Sequence, residues 1–458
     1  MDIKLTKGNE PLYIQLYNCI ADAVEHGYIQ NRTKLPSRRK MAEDLDIAEI
    51  TVDAAYAMLQ DTGYVTIIPR QGCFVSFKAP ENNGDIPWDT ASGERYIFTP
   101  NGIDKTMFPR ADYAKIVKNI LYNDGFDILS HPQKNGEFVL RNAISKYLYS
   151  FRDIKCSPHQ VIVGAGQEYL ITSFFSVFDD DIIFAMEDSG YSRSYYAFTS
   201  YNRKIKTIPT GMNGLNIDDL YSSGAKVFYA APYHHFPTGH KMTRRQKEQL
   251  IEWVSESPDR YIIEDCFDCE INWESSESLF SMDKNNRVVL LNSFSRSICS
   301  SFRISYMVIP DPLLSLWRKK HRYYYSLVPQ LDQYALAEFI DKGHFVKHYK
   351  KMRKLYKERR EILKASLINT FKDKVRISEN SDNVCVIITL KIGIPENEII
   401  LKARNAGVRI FLIKNHCIDS ILMPDCTFIL GIGELTGSQI KEAVRELYNA
   451  LLVPGQQT

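Results

Sequence analysis

LNSFSRSICSSFRISY, residues 291–306, opens out of the apolar run 288–292 and sets two arginines, Arg296 and Arg303, in a serine-rich stretch. An uninterrupted short run of valine and leucine reads as a strand buried on both faces. Four more such runs lie upstream, at 160–164, 181–185, 226–230 and 260–264, separated by helical stretches. That alternation implies a mainly parallel, helix-covered α/β sheet. Ligands of such sheets gather at the carboxyl ends of the strands, and the residues just beyond these runs are the polar and glycine-bearing ones. Gly164-Ala165-Gly166-Gln167-Glu168 follows one run and opens a helix, which places its backbone amides to hold a phosphate.

With 458 residues the chain is too long for one ordinary domain, and 44% apolar with 24% charged residues is ordinary globular composition. No apolar run reaches the roughly 20 residues needed to span a bilayer, and the first residues do not read as a signal peptide. A cytoplasmic protein with no membrane partner is expected. Nine scattered cysteines suit reduced thiols. Cys266 and Cys269 form a lone CxxC without a second close pair, so two buried thiols are expected there and no metal.

The first 78 residues form a unit of their own. Residues 11–24, PLYIQLYNCIADAV, place Leu12, Leu16, Ile20 and Val24 on one helix face. Ser37 caps a second helix through Leu45, and a third runs from Ile50 to Gly63 with Val52, Tyr56 and Leu59 inward. Two short strands, 64–68 and 73–77, flank a turn, Pro69-Arg70-Gln71-Gly72, that reads as a wing. Arg32, Lys34, Arg38, Arg39 and Lys40 put five positive charges into nine residues with no acid among them, where phosphate contact is natural. Lys34, Ser37, Arg38, Arg39, Thr51, Arg70 and Gly72 are therefore the candidate contacts to a double-stranded DNA operator. Glu49 and Asp53 stand against this at the start of the third helix; an acid there repels phosphate, though it can accept from cytosine.

PLYIQLY, LPSRRKMAEDL, ITVDAAYAMLQDTGYV and PRQGCFV together resemble the winged helix-turn-helix of the GntR group of bacterial regulators, many of which carry an arginine near Glu49. Residues 79–96 are rich in Pro, Gly, Asn and acids and read as a linker. Beyond it, NGEFVLRNAISKYL, GAGQEYL, EDSGYSR, APYHHFPTG, YIIEDCFDCE and NSFSRSICSSFRISYMV occur in an order that resembles the MocR/GabR subfamily, in which a GntR-type reader is fused to a fold-type I aminotransferase domain that binds pyridoxal phosphate (PLP). The resemblance covers essentially the whole chain. It implies a multidomain protein: a winged helix (α+β) over 1–78, the linker, and an aminotransferase-like effector and dimerisation body over 97–458, with a small C-terminal α+β lobe at about 374–458.

The same resemblance assigns roles. Asp265 matches the aspartate that pairs with the pyridine nitrogen, Tyr191 the ring-stacking tyrosine, and Arg303 the arginine that binds the phosphate with Gly166 and Gln167. Arg193 matches an effector-carboxylate arginine. Arg296, next to Ser295, stands at the lysine position, Phe267 where a tyrosine bonds the cofactor's phenolic oxygen, and Glu434 in ILGIGEL where a second carboxylate-binding arginine is found. A Schiff base needs an amine that can lose its proton, and guanidinium stays charged and is a poor nucleophile. Covalent PLP binding is thereby excluded at Arg296. The chain is expected to be a dimeric DNA-binding regulator with a disabled aminotransferase-like body that senses an unknown, anionic small molecule. The alternatives are non-covalent PLP binding or a PLP-dependent aminotransferase. Asp265, lacking a pyridinium, is expected to pair with Arg296. The basic stretch 347–360 is expected to be the solvated face of a long helix leading into the lobe.

Overall fold

The structure is a computed structural model that describes residues 11–25, 29, 33–68, 72–76, 94–100, 102–122, 128–188, 192–272, 277–380, 384–418 and 422–453. Arg32, the wing-tip residue Arg70, Tyr191 and most of the expected linker lie outside them. The chain divides into two compact units, 1–90 and 91–458.

In the first unit the apolar spacing produces three helices, α1 (Leu12–Glu25), α2 (Arg38–Leu45) and α3 (Glu49–Asp61), followed by an antiparallel pair, β1 (Val65–Ile68) and β2 (Gly72–Val75). Leu16, Ile20 and Val24 meet Val52, Tyr56 and Leu59 in its core. Ser37 caps α2 by accepting from the Lys40 amide at 3.2 Å, a contact contributing about 1 kcal/mol. The Tyr56 hydroxyl donates to the Pro36 carbonyl at 2.9 Å and so fixes where α2 starts relative to α3. Gly72 has a φ of 120°, and a Cβ there would stand 2.8 Å from Lys34 Cε. It is the φ that calls for glycine there, since the flexible end of Lys34 could move aside.

The second unit is built on seven strands: β3 (Val161–Gly164), β4 (Ile183–Glu187), β5 (Lys204–Ile208), β6 (Val227–Ala230), β7 (Tyr261–Asp265), β8 (Val288–Ser293) and β9 (Ser305–Val308). Their order across the sheet is β3-β9-β8-β7-β6-β4-β5, and β9 alone runs against its neighbours. The five expected runs are strands. β5 and β9 are additional, for two reasons: KIKTI alternates lysine with apolar residues as a half-exposed edge, and SYMV hides behind the serine-rich run. Tyr96–Ile97 pairs in parallel with Val408–Arg409, so the end of the expected linker sits inside a contact of the second unit.

A 28-residue helix, α4 (His344–Phe371), connects the sheet to an antiparallel four-stranded lobe formed by residues 375–377, 385–390, 427–431 and 411–412. Lys347, Lys350, Lys351 and Lys357 are exposed along α4, as a solvated face requires, while Arg359 is buried and ion-paired with Asp104. The inner face passes through three cores. Phe345 and Tyr349 enter that of the sheet's helices, Met352 and Tyr356 one shared with Phe236 and backed by Phe267, and Leu363, Leu367 and Phe371 that of the lobe. Among the described residues no helix is long and apolar enough to cross a membrane.

Candidate functional site

The basic cluster of the first unit is largely matched by acids. Arg38 pairs with Asp53 of α3 at 2.6 Å, Arg39 with Glu43 at 3.1 Å and Lys40 with Asp44 at 3.4 Å. The sequence run without acids is thus folded against acids one helical turn, or one helix, away. Such exposed pairs are worth about 0–1 kcal/mol and give way readily to a phosphate. The Arg38 pair also neutralises one of the two acids near the start of α3, leaving Glu49 at its first turn beside Ile50, which is 78% exposed. Lys34 lies 5.8 Å from the centroid of Phe74 on the wing, Ser37 is held as the α2 cap, and Thr51 faces partly outward from α3.

In the second unit the strand ends converge as expected. Asp265 ends β7 and is buried; Gln167 Nε2 donates to its Oδ1 at 2.8 Å, the Phe267 amide to the same oxygen at 3.0 Å, and the Tyr229 hydroxyl to Oδ2. All three partners are neutral. Burial pushes the Asp265 carboxyl up to about 7, although the Tyr229 and Gln167 hydrogen bonds pull the other way. The expected Asp265–Arg296 ion pair does not form: neutral donors saturate Asp265, and the buried Arg296 guanidinium instead lies 5.7 Å from the centroid of the Phe267 ring. Ser295 turns its hydroxyl to the Phe302 carbonyl at 2.9 Å and is spent holding the loop.

Arg303 reaches back to the start of the helix Gln167–Phe175, where its Nη2 lies 2.7 Å from Glu168 Oε2. The pair packs over Gly166, whose φ is 99° and whose missing Cβ would stand 2.5 Å from Arg303 Nη2 and 3.0 Å from Glu168 Oε2. Arg303 also lines a groove of about 610 Å³ with Lys105 and Arg110. A separate small cavity of about 20 Å³ lies between Glu187, His235, Asp265 and the rings of Tyr229, Phe236 and Phe267. Glu434 stands elsewhere, exposed and accepting from the Thr99 hydroxyl at 3.1 Å. The backbone of Arg193 belongs to the helix Ser192–Ser200, and its side chain is not among those described.

This chain matches the aminotransferase class I and II family over residues 114–391 and the gntR family of bacterial regulatory proteins over residues 12–75. It is 32% identical over 451 residues to an uncharacterised HTH-type transcriptional regulator, YdeL, of Bacillus subtilis strain 168, covering 95% of this chain and 96% of the relative. It belongs to the MocR-type regulators of the gntR family. The probable rhizopine catabolism regulatory protein MocR of Rhizobium meliloti is 25% identical over 469 residues, 96% of this chain and 94% of that one. Among solved structures, an archaeal alanine:glyoxylate aminotransferase superposes with a TM-score of 0.69 at 20% identity, over 78% of this chain and 90% of its own. The multiple substrate aminotransferase of Thermococcus profundus gives 0.68 at 22% identity, over 79% and 92%. At that identity the likeness shows the fold.

Domains of this family fold around PLP, and three contacts bear on whether the group fits this regulator. Gln167, expected at the phosphate, is engaged by Asp265; Arg303, the expected phosphate ligand, is engaged by Glu168; and Asp265 holds a carboxyl near neutrality in place of a fixed negative charge. A dianionic phosphate brought to this helix N-terminus meets a resident carboxylate that already uses the arginine. Glu168 thus competes for the phosphate's arginine, and with a guanidinium at 296 the described residues do not fit covalently held PLP. The side chains of Glu168 and Tyr229 bear on these contacts, and Glu187 and His235 line the cavity beside them; sequence reasoning gives none of these four side chains a role. Each stands in or beside a motif at a strand end, and that position is the one signal that could have found them.

Proposed function

We propose that this regulator binds operator DNA through its winged unit and that its aminotransferase-like body has lost PLP chemistry and serves as a non-enzymatic sensor of a small molecule. The observation that carries this reading is the fate of the cofactor contacts: guanidinium at 296, a carboxylate on Arg303 and neutral donors on Asp265. An aminotransferase would need an amine at 296, which arginine does not supply. Of the two arginines expected to serve an anionic effector, Arg303 is paired with Glu168 and the side chain of Arg193 lies outside those described. A dimer formed through the body would present two winged units to two half-sites.

Electrophoretic shift of the full chain on DNA from upstream of its own coding region tests the reading. Affinity is expected to fall on the order of 10³-fold between 50 and 200 mM salt, as for about six phosphate contacts. Lys34→Ala is expected to weaken binding uniformly across sequences and lower the salt slope by about one. Absence of a salt-sensitive shift on that DNA would sink the operator reading.

A further inference from the structure

We propose that the small cavity at the ends of β4, β6 and β7 is the head-group subsite of the effector, and that it takes an ammonium group on an unphosphorylated molecule. The proposal rests on the sensor reading above. Its carriers are two atoms that the chain leaves unmatched. Glu187 Oε1 and His235 Nε2 belong to side chains only 3% and 2% exposed that line this cavity, and neither atom has a hydrogen-bond partner among the described residues. Buried polar atoms in folded proteins are almost always paired, so two left open around one void point to a partner from outside the chain.

The chemistry of the lining selects that partner. Glu187 Oε2 accepts from the Ala231 amide at 3.2 Å, which holds the carboxyl in place and leaves Oε1 without a donor among the described residues. His235 Nδ1 lies 2.8 Å from Thr238 Oγ1, and the Thr238 hydroxyl lies 3.5 Å from the His235 carbonyl. With Nδ1–H donating to Oγ1 and the hydroxyl donating on to the carbonyl, Nε2 is a bare acceptor. Burial holds His235 down at about 3, so the lining itself carries no positive charge to oppose a cation, and it pushes the Glu187 carboxyl up to about 8, so a cation that binds there displaces the Glu187 proton and leaves Oε1 an acceptor. Tyr229, Phe236 and Phe267 supply the remaining walls, and ring faces attract cations. An ammonium has three donors and no acceptor, which suits two acceptors and an aromatic box. A carboxylate or phosphate head would find no cationic side chain in this lining. At about 20 Å³ the cavity admits a group the size of water or ammonium, with the body of the ligand outside it.

Calorimetric titration of the full chain with benzylammonium chloride, benzyl alcohol, benzoate and PLP reads this directly. Benzylammonium is expected to bind at least tenfold more tightly than the neutral alcohol, with benzoate and PLP weaker still. Glu187→Gln is expected to remove the preference for the cation, and Glu187→Asp to keep a part of it, with circular dichroism confirming that both variants fold. Equal affinity for amine and alcohol, an unchanged preference in Glu187→Gln, or no binding of benzylammonium overturns the assignment. Gel shifts with the same four compounds separate the two readings. If benzoate or PLP changes operator affinity and benzylammonium does not, the sensor stands and the cation site falls; if none of the four changes it, the sensor reading falls as well.

Discussion

Glu168→Ala is expected to raise the affinity of the chain for PLP at least tenfold, and Arg296→Lys alone is expected to leave it nearly unchanged. In the parent chain the Glu168 carboxylate lies 2.7 Å from Arg303 at the head of a nine-residue helix. A tethered anion is present there at an effective concentration that free ligand reaches only in the millimolar range or above. Removing it exposes one guanidinium and the helix N-terminus together. Charge-assisted hydrogen bonds to such a site are worth about 1.5–3 kcal/mol each, so a tenfold gain, about 1.4 kcal/mol, is a conservative expectation. Quenching of intrinsic fluorescence measures it. The double variant Glu168→Ala/Arg296→Lys is expected to take up a visible chromophore that borohydride fixes to the chain. The same chromophore in Arg296→Lys alone would show that the lysine was the sole loss and that Glu168 does not matter.

Raising the pH from 5 to 8 is expected to destabilise the body of this regulator, and Glu187→Gln is expected to flatten that dependence. Burial lifts Glu187 to about 8 and Asp265 to about 7, whereas carboxyls in an unfolded chain titrate near 4. Between those values the folded form keeps protons that the unfolded form has released. The protonated carboxyls therefore favour folding at the acid end of the window, and the advantage is lost as pH rises through 7 and 8. Each such proton contributes a slope of at most about 1.4 kcal/mol per pH unit. The glutamine variant keeps the hydrogen bond from the Ala231 amide without a proton to lose, so above pH 7 it should be the more stable form. Urea midpoints of the body's transition at pH 5, 6, 7 and 8 for parent and variant measure the effect; parallel curves would rule it out.

The fold was legible wherever pattern alone determines structure. Period-four apolar positions gave the helices of the winged unit, and short apolar runs gave the five central strands. Lys204–Ile208 and Ser305–Val308 were not legible because an edge strand alternates like a solvated segment and a serine-rich approach disguises the strand after it. Of the site, Asp265 was legible from the family resemblance, and its place just beyond an apolar run agrees with it. Its partners were not, since Gln167 and Tyr229 stand 98 and 36 positions away and nothing local marks them as donors to it. The expected Asp265–Arg296 pair failed because neutral donors from three directions satisfied the carboxyl first. The winged unit shows the same effect with charge: a run without acids in sequence is matched by acids a helical turn away, and only the folded register of α2 and α3 brings Asp53 to Arg38.

The passage of α4 through three cores bears on how the second unit comes apart. At 28 residues and about 1.5 Å per residue the helix is roughly 42 Å long, and it has buried side chains near both ends and in the middle. Unravelling either end strips apolar surface from a neighbouring core, so sheet and lobe cannot open independently as separate foldons. The Asp104 amide donates to the Tyr356 hydroxyl at 3.0 Å and ties the same rod to the chain's approach, and Met352 and Tyr356 pack in the cluster that Phe267 backs. The residues beneath Phe267 and the core of the lobe thus share one continuous helix.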